Sequence, residues 1–293
     1  MTDVSTKIEI AEEAGPTAKS GQLRRGIGAI LASFWILLIL FIAVGADVLP
    51  LADPSVDVGV GSRIAPFTTW PEFLGTDGLG RSMLSRVVYG ARVSLAAGAA
   101  SVGIAFAFGL AVGVSAGYFR GKVDTVVGVV VDGLLAFPAL VFLMALAATL
   151  QPGLGTLVVG LSFVAFPPFV RLARANTLQY TGAEFVLATR GLGAKKRTVL
   201  MGEIVPNVIP SLVAYASVIG AALILAEASL SFLGLGVRPP TPSWGGMIAD
   251  GVRELRTEPY LVLVPSAVLF LTIFSLNVVG EYLRSRTTDP SRL

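Results

Sequence analysis

Long apolar stretches constrain the fold of this chain more than any other feature. Because the hydrocarbon core of a bilayer is about 30 Å thick, a helix needs roughly 20 mostly apolar residues to cross it. Stretches of about that length cover residues 27–49, 93–117, 126–150, 154–170, 210–233 and 260–282. Only 14% of the 293 residues are charged, whereas a typical soluble domain has about 25%. We therefore predict an all-α membrane protein with six transmembrane helices.

The distribution of Lys and Arg predicts how these helices are oriented. If the N-terminus lies inside, fifteen of the 22 Lys and Arg residues lie on the inner side of the membrane and seven lie outside. Cytoplasmic loops of membrane proteins carry this kind of excess. We therefore predict that both termini are cytoplasmic.

The chain contains no Cys and no His, which removes several kinds of site. Disulfides, Cys/His zinc sites and His-dependent catalytic triads are excluded. A phosphate-binding loop needs a Gly, four intervening residues and then Gly-Lys-Ser/Thr. The only Gly-Lys pair, Gly121-Lys122, has Ala116 at the position of the first Gly and is followed by Val123. We expect no metal site, no cofactor bound by this chain and no nucleic-acid partner.

Small residues recur at every fourth position in the second stretch: Ser101, Ala105, Gly109, Gly113 and Gly117. In lipid, such a stripe lets two helix backbones approach closely, because packing drives helix association there. We expect this face of the second helix to pack against another helix.

A few polar residues lie deep inside the apolar stretches. Asp132 and Glu227 are the deepest ionisable residues, Ser231 follows Glu227 by one helical turn, and Asn277 is a weaker candidate of the same kind. Intramembrane polar residues often mark a transport path. We assign these four to the translocation path or its gate, and a purely structural role stays open for each.

Prolines and one short periodic segment refine the expected helices. Pro138 and Pro167-Pro168 are expected to interrupt the third and fourth spans, because proline lacks an N–H to donate. Outside the membrane, Ile248, Val252 and Leu255 recur at helical spacing and predict a short amphipathic helix lying at the outer interface.

A basic segment, residues 171–206, separates the fourth and fifth spans. It is predicted to run helically to Thr189, to break at Gly191 and Gly193, and to form a second short helix from Lys195 to Pro206. Judged by its charge alone, this segment is either a protruding helix pair that docks a partner protein or a solvated loop on the inner side of the membrane.

This hairpin resembles the coupling loop of ABC importer permeases, whose pattern is Glu-Ala-Ala, three residues, Gly, and about a dozen residues to a Pro. The chain agrees with that pattern at Ala188, Gly193 and Pro206 and departs from it at Leu187, Thr189 and Glu203. The peptide-type branch of the family also lacks the first Glu.

The resemblance extends over most of residues 73–282. Similar motifs occur in C-type permease subunits of dipeptide/oligopeptide/nickel importers, and here they are FLGTDGLGR (73–81), YGARVSL (89–95), GYF (117–119), AFP (136–138), EASLSFLGLGV (227–237) and PPTPSWG (239–245). Several long motifs in the same order identify the chain as similar to this subunit type.

The resemblance implies a type I ABC importer permease fold, with the coupling-helix hairpin between helices 4 and 5. It divides the chain into a cytoplasmic tail (1–26), the first helix with an extracytoplasmic segment (27–92), the ABC transmembrane type-1 domain (93–282) and a second cytoplasmic tail (283–293). The residues that it assigns to ATPase coupling are Ala188, Thr189, Arg190, Gly191, Gly193, Ala194, Lys195 and Pro206.

The same resemblance implies the partners and the location. They are a B-type second permease subunit, two ATPase subunits that bind ATP and Mg²⁺, an extracytoplasmic substrate-binding protein and the lipid of a bacterial or archaeal plasma membrane. The chain itself is then not an enzyme.

The expected substrates are di- or oligopeptides, and nickel chelates, glutathione and sugars are the alternatives within the same importer type. The absence of Cys and His disfavours a soft-metal site. A secondary transporter is a more distant alternative, because such proteins usually show repeated halves and none is visible here.

Overall fold

The structure, a computed structural model, describes residues 17–287 of the chain and the side chains of residues 26–286. All regular elements in that range are helical. They are α1 (Thr17–Val44, extended by a 3₁₀ turn at Gly45–Asp47), α2 (Met83–Phe119), α3 (Gly121–Leu135), α4 (Ala139–Thr149), α5 (Leu154–Tyr180), α6 (Glu184–Gly191), α7 (Lys196–Phe232), α8 (Trp244–Val252) and α9 (Tyr260–Thr287). The predicted tails, 1–26 and 283–293, lie largely outside the described residues.

Five of these helices, α1, α2, α5, α7 and α9, are long and apolar enough to cross a membrane. The third predicted span is instead a bent pair, because α3 and α4 meet at 79°. The break coincides with Pro138, which takes an extended conformation (ψ 118°) and begins α4. A proline disfavours helical geometry in the residue before it, so α3 ends before Phe137. Counting the bent pair as one span gives the six that the sequence predicts.

The closest helix packing in the bundle joins α2 to α5. Ser101 and Ala105 are fully buried, and the Ser101 hydroxyl donates to the Val158 carbonyl of α5 at 3.2 Å. Further along, a Cβ atom added to Gly113 would lie 2.5 Å from the Val170 carbonyl oxygen, and one at Gly117 would lie 2.8 Å from the Thr177 Cβ. The stripe of small residues is therefore a helix-packing face, as predicted.

Pro167 and Pro168 do not interrupt α5, so that expectation was wrong. The helix continues through both residues. Residues on either side of them, Ala165 and Phe169, are buried in the main apolar cluster of the bundle, where Phe169 contacts Phe106 and Tyr215 edge to face. Packing on both sides holds the backbone helical where proline removes hydrogen bonds.

The hairpin between α5 and α7 differs from its predicted outline in two ways. Its first helix is divided, because α5 ends at Tyr180 and α6 begins only at Glu184. Its second helix does not end at Pro206, since α7 passes through a π-helical stretch at Val199–Ile204 and continues as an α-helix to Phe232. Pro206 is tolerated because it lies in the first turn after the π-helical stretch, where the regular α-helical bonding pattern starts again.

The outer helix α8 exists, but only Ile248 of the three predicted residues packs against the bundle, in the apolar cluster that contains Trp244. Val252 and Leu255 are exposed, whereas Trp244, Met247 and Gly251 are buried against α2, α7 and α9. Close backbone contact makes this possible, because a Cβ atom on Gly245 would collide with the backbone of Ala228 in α7. The helix is therefore part of the bundle rather than a helix that lies on the membrane surface.

The segment between α1 and α2 contains no long helix and is fixed by polar contacts. The Thr76 hydroxyl accepts from Ile64 N–H and donates to the Gly61 carbonyl, and the Tyr260 hydroxyl of α9 donates to the Thr76 carbonyl at 2.9 Å. Arg63 forms two hydrogen bonds with Glu254, which hold the pKa of that carboxyl below its usual range.

We expect Gly113→Ala to destabilise the bundle by about 1–3 kcal/mol, because the new methyl group meets backbone atoms of α5 that cannot move independently. Gly103, in the same helix, has nothing within 4 Å of an added Cβ atom. Gly103→Ala is therefore the matched control and should not lower stability. Thermal unfolding of both variants in nanodiscs measures the difference, and equal melting temperatures would contradict the packing role.

Candidate functional site

The α6 hairpin stands at one end of the bundle and is anchored there by both apolar and polar contacts. Val186 is fully buried in the apolar cluster that also contains Val199 and Ile204. The Arg190 guanidinium lies 5.2 Å from the ring centroid of Tyr118, near the end of α2. The position of α6 is therefore fixed relative to α2 and α7.

The turn after α6 is a Schellman motif, which needs a left-handed residue just beyond the helix. Ala194 N–H donates to the Thr189 carbonyl at 3.3 Å, and Gly193 N–H donates to the Arg190 carbonyl at 3.0 Å. Gly193 has a φ of +83°, a conformation that other residues rarely adopt. The glycine is thus required by the backbone rather than by crowding, because nothing lies within 4 Å of an added Cβ atom.

The predicted coupling residues from Ala188 to Lys195 form this turn, which we call the hairpin tip. At the tip Leu192 is 89% exposed, and Ala188, Arg190 and Lys195 are exposed as well. The tip therefore presents one large apolar side chain among cations. The sequence pattern does not single out Leu192, although its position between Gly191 and Gly193 at a helix end is typical of an exposed turn.

Pro206 is the one predicted coupling residue that lies away from the tip. It lies ten residues after Lys196, the first residue of α7, which corresponds to about 15 Å along the helix from the hairpin tip.

Glu227 and Ser231 lie towards the opposite end of α7 and are buried. Glu227 is fully buried, and its Oε1 accepts a hydrogen bond from the Ser231 hydroxyl at 2.7 Å. The neighbouring loop is packed tightly on this pair, because a Cβ atom on Gly236 would collide with the Ser231 side chain. The pair therefore faces the protein interior, next to the loop that leads into α8.

Trp244 belongs to the same region and was not identified as a site residue from the sequence. It is fully buried, its indole N–H donates to the Val87 carbonyl of α2 at 3.0 Å, and its backbone N–H donates to the Ser94 hydroxyl at 3.4 Å. The Ser243 hydroxyl caps α8 by accepting from Gly246 N–H. These contacts tie the outer loop to α2.

Asp132 lies on α3 and forms an ion pair with Arg171 of α5, with 2.6 Å between Oδ1 and Nη2. Its side chain is 69% exposed and that of Arg171 is 58% exposed. A second ion pair, Asp124 with Arg174, joins the same two helices nearer the hairpin end and is less exposed, at 22% and 40%.

Asn277, the fourth path candidate, is an exposed residue of α9 whose amide nitrogen donates to the Ile273 carbonyl of its own helix. The structure therefore does not bring the four path candidates together. Only Glu227 and Ser231 are in contact, and Asp132 and Asn277 lie on other helices. Within the described residues, no group of three or more acidic side chains could hold a metal ion.

The sequence and the fold both have known relatives. Residues 109–289 match the family model described as "Binding-protein-dependent transport system inner membrane component". The chain is 35% identical, over 89% of its length and 86% of the relative, to the glutathione transport system permease protein GsiD of Pectobacterium atrosepticum. It is also 35% identical to the protein of that name from Escherichia coli O6:K15:H31, over 74% of this chain and 72% of the relative.

A solved structure of the MetNI methionine ABC transporter, in an inward-facing conformation, has a chain with a similar fold. The TM-score is 0.58 at 20% sequence identity, and the alignment covers 70% of this chain and 98% of the other. The family match covers more than half of the chain. This chain therefore belongs to the family of binding-protein-dependent transport system inner membrane components, and it is an ABC importer permease with the type I fold.

Proposed function

We propose that this chain forms one half of the translocation path of an ATP-driven importer and docks an ATPase subunit through its hairpin tip. A second permease subunit forms the other half, and a substrate-binding protein delivers substrate from outside. ATP and Mg²⁺ bind to the two ATPase subunits and not to this chain. In this arrangement the importer lies in the plasma membrane, with the hairpin and both termini of this chain in the cytoplasm.

The exposed hairpin tip is the observation that carries the docking proposal. Leu192 is 89% exposed in a tip that also exposes Arg190 and Lys195. An apolar side chain in such a setting is costly to keep in water and suits a partner surface that has an apolar pocket with an acidic rim. The tip is also held in one conformation by the Schellman motif and by Arg190 on Tyr118. A rigid tip transmits a displacement of its partner to the rest of the chain, whereas a flexible loop would change conformation instead.

The packing contacts of α6 indicate how such a displacement would reach the translocation path. Val186, Val199 and Ile204 pack together in the main apolar cluster, which continues through Phe169 of α5. Movement of α6 therefore acts on α5 and α7 together, as expected for a rigid-body switch between two states.

Glutathione replaces the broader class of di- and oligopeptides as the substrate that we favour. The relatives that share 35% identity over most of their length are named as glutathione transport permeases. Glutathione is itself a short peptide, so this choice narrows the expectation from the motifs rather than reversing it.

We expect the chain, assembled with its partner subunits and reconstituted in liposomes, to import glutathione in an ATP-dependent manner. Uptake of radiolabelled glutathione is compared with that of a dipeptide and a nickel chelate. Faster uptake of either competitor would overturn the substrate assignment, and a chain that purifies without ATPase subunits would overturn the importer assignment.

Gly193→Val should reduce ATP-dependent uptake by about tenfold or more while leaving membrane insertion unchanged, because a β-branched residue is strained at positive φ and should distort the tip. Gly103→Ala is the control, since Gly103 is helical, also has open space at its Cβ position and lies in α2, outside the hairpin tip. Normal uptake by the Gly193→Val variant would contradict the coupling role.

The absence of Cys allows a direct test of docking. A Cys introduced as Ala194→Cys should form an adduct with an ATPase subunit when a bifunctional thiol crosslinker is added, because Ala194 lies in the hairpin tip. Trp70→Cys is the control, as Trp70 is 84% exposed but lies in the outer segment. The docking proposal fails if linkers of several lengths give no adduct with Ala194→Cys, or if both variants react equally.

A further inference from the structure

A cavity lies on the outer side of the bundle, where the outer segment (residues 48–82), the first turn of α2 and α8 meet. Its volume is about 570 Å³, which lies within the range of small-molecule sites, about 300–1,000 Å³. Met83 and Met247 are among the apolar residues of its wall, and Leu79 and Arg253 are lining residues that are exposed to solvent. The cavity therefore opens to water, at the end of the molecule opposite the hairpin tip.

The length of α2 places this cavity outside the hydrocarbon of the membrane. The helix has 37 residues and is about 55 Å long, whereas a helix needs only roughly 20 residues to cross a bilayer core. The apolar stretch predicted to span the membrane begins at Val93, so Arg86, in the first turn of α2, precedes it by seven residues. The charged residues of the cavity therefore lie at the outer surface.

Arg86 is the most buried of the arginines that line the cavity, because its side chain is only 5% exposed. Within the described residues its guanidinium makes one hydrogen bond, from Nη1 to the Pro54 carbonyl at 3.3 Å. A guanidinium has five N–H groups, so four of those on Arg86 make no hydrogen bond. A buried charge is normally both paired and hydrogen-bonded, and Arg86 therefore has donors to spare at the cavity wall.

The carboxylates near Arg86 do not use these donors. Asp77 is matched to another arginine, since its Oδ2 accepts from Arg81 Nε at 2.7 Å and its Oδ1 accepts from the backbone N–H groups of Leu79 and Arg81. Arg86 Nε lies 3.4 Å from Asp77 Oδ2, and Arg86 Nη2 lies 3.5 Å from Asp250 Oδ2, but neither contact is a hydrogen bond. The Asp250 side chain is 64% exposed, so water can solvate it when an anion takes its place beside Arg86.

We propose that this outer cavity binds the carboxylate of a small organic molecule, and that Arg86 forms a bidentate pair with that carboxylate. The planar guanidinium presents parallel N–H groups that match the two oxygens of a carboxylate. Arg253, an exposed lining residue whose side chain makes no hydrogen bond or ion pair within the described residues, supplies a second cation. The apolar part of the wall contacts the remainder of the ligand.

The inference rests on the proposed import function and adds a binding site on the outer side for the imported molecule. Peptides, glutathione included, carry a free carboxylate at their C-terminus. A peptide released by the substrate-binding protein then meets this cavity before it enters the membrane. An acidic side chain of the substrate-binding protein carries the same chemical group, so the experiment has to separate a free ligand from a docked side chain.

The test measures how a ligand protects a thiol from alkylation in the complete importer. Leu79→Cys places a thiol on the cavity lining of an otherwise Cys-free chain, and Trp70→Cys places one on the outer segment away from the cavity. Labelling of this chain by a fluorescent maleimide is followed without the substrate-binding protein. The probe is S-methylglutathione, whose sulfur cannot react with maleimide, and its diester, in which both carboxylates are blocked, is the control ligand.

We expect S-methylglutathione to protect Leu79→Cys but not Trp70→Cys, and the diester to protect neither. Adding Arg86→Gln should raise the probe concentration needed for protection by about tenfold, which corresponds to the loss of one charge-assisted hydrogen bond. Arg92→Gln is the matched control, because Arg92 also lies in the outer part of α2 and pairs with an aspartate, Asp47, but does not line the cavity.

A loss of folding in Arg86→Gln would show as a melting temperature below that of Arg92→Gln. In that case two milder variants decide. Arg86→Lys keeps the charge but lacks the planar pair of donors, and Arg253→Gln changes an exposed side chain. Each should weaken protection severalfold without lowering the melting temperature.

Equal protection by the diester, or unchanged protection in the Arg86 variants, would overturn the inference. Protection that needs the substrate-binding protein and no ligand would assign the carboxylate to that protein and overturn the small-molecule site. ATP-dependent uptake of glutathione by the parent importer separates this inference from the proposed function. Uptake without protection defeats the cavity site alone, protection without uptake keeps the site and defeats the proposed substrate, and the absence of both defeats both.

Discussion

The close approach of α2 and α5 is the contact on which the rest of the bundle depends. Glycine at positions 109, 113 and 117 lets the two backbones come within van der Waals distance, so that backbone and side-chain atoms of α5 fill the space where Cβ atoms would otherwise be. In a membrane, this type of packing substitutes for the hydrophobic effect that drives helix association in water. α5 is the most buried of the spanning helices, and α7, α3 and α4 are placed around it.

The two ends of this bundle are built differently, with the hairpin tip at one end and the outer loop and α8 at the other. At one end, α6 and the hairpin tip are fixed by Val186 and by Arg190 on Tyr118, and the tip exposes Leu192. At the other end, the hydrogen bond from the Trp244 indole N–H to the Val87 carbonyl holds α8 against α2, and the loop around Gly236 packs on Ser231 of α7. Because α7 runs continuously from one end to the other, a displacement of the hairpin can be transmitted to the outer loop through a single helix.

The bend between α3 and α4 opens an apolar space beside the bundle. The two helices meet at 79° around Pro138, and a cavity of about 590 Å³ lies between them, with Phe137, Phe142 and Phe163 among its lining residues. Two ion pairs join α3 to α5: Asp132 shares one hydrogen bond with Arg171, whereas both carboxylate oxygens of Asp124 accept from Arg174.

The sequence by itself determined the membrane class, the six apolar spans, the small-residue packing face and the family, since these depend on local composition, spacing and motifs. The tertiary structure alone decided which side chains meet. The pairing of Asp132 with Arg171, the burial of Trp244 instead of Leu255, and the continuity of α5 through Pro167 and Pro168 all result from contacts between helices that are not neighbours in the chain. Local propensity carries no information about those contacts, because packing energy is set by the neighbouring helix and not by the neighbouring residue.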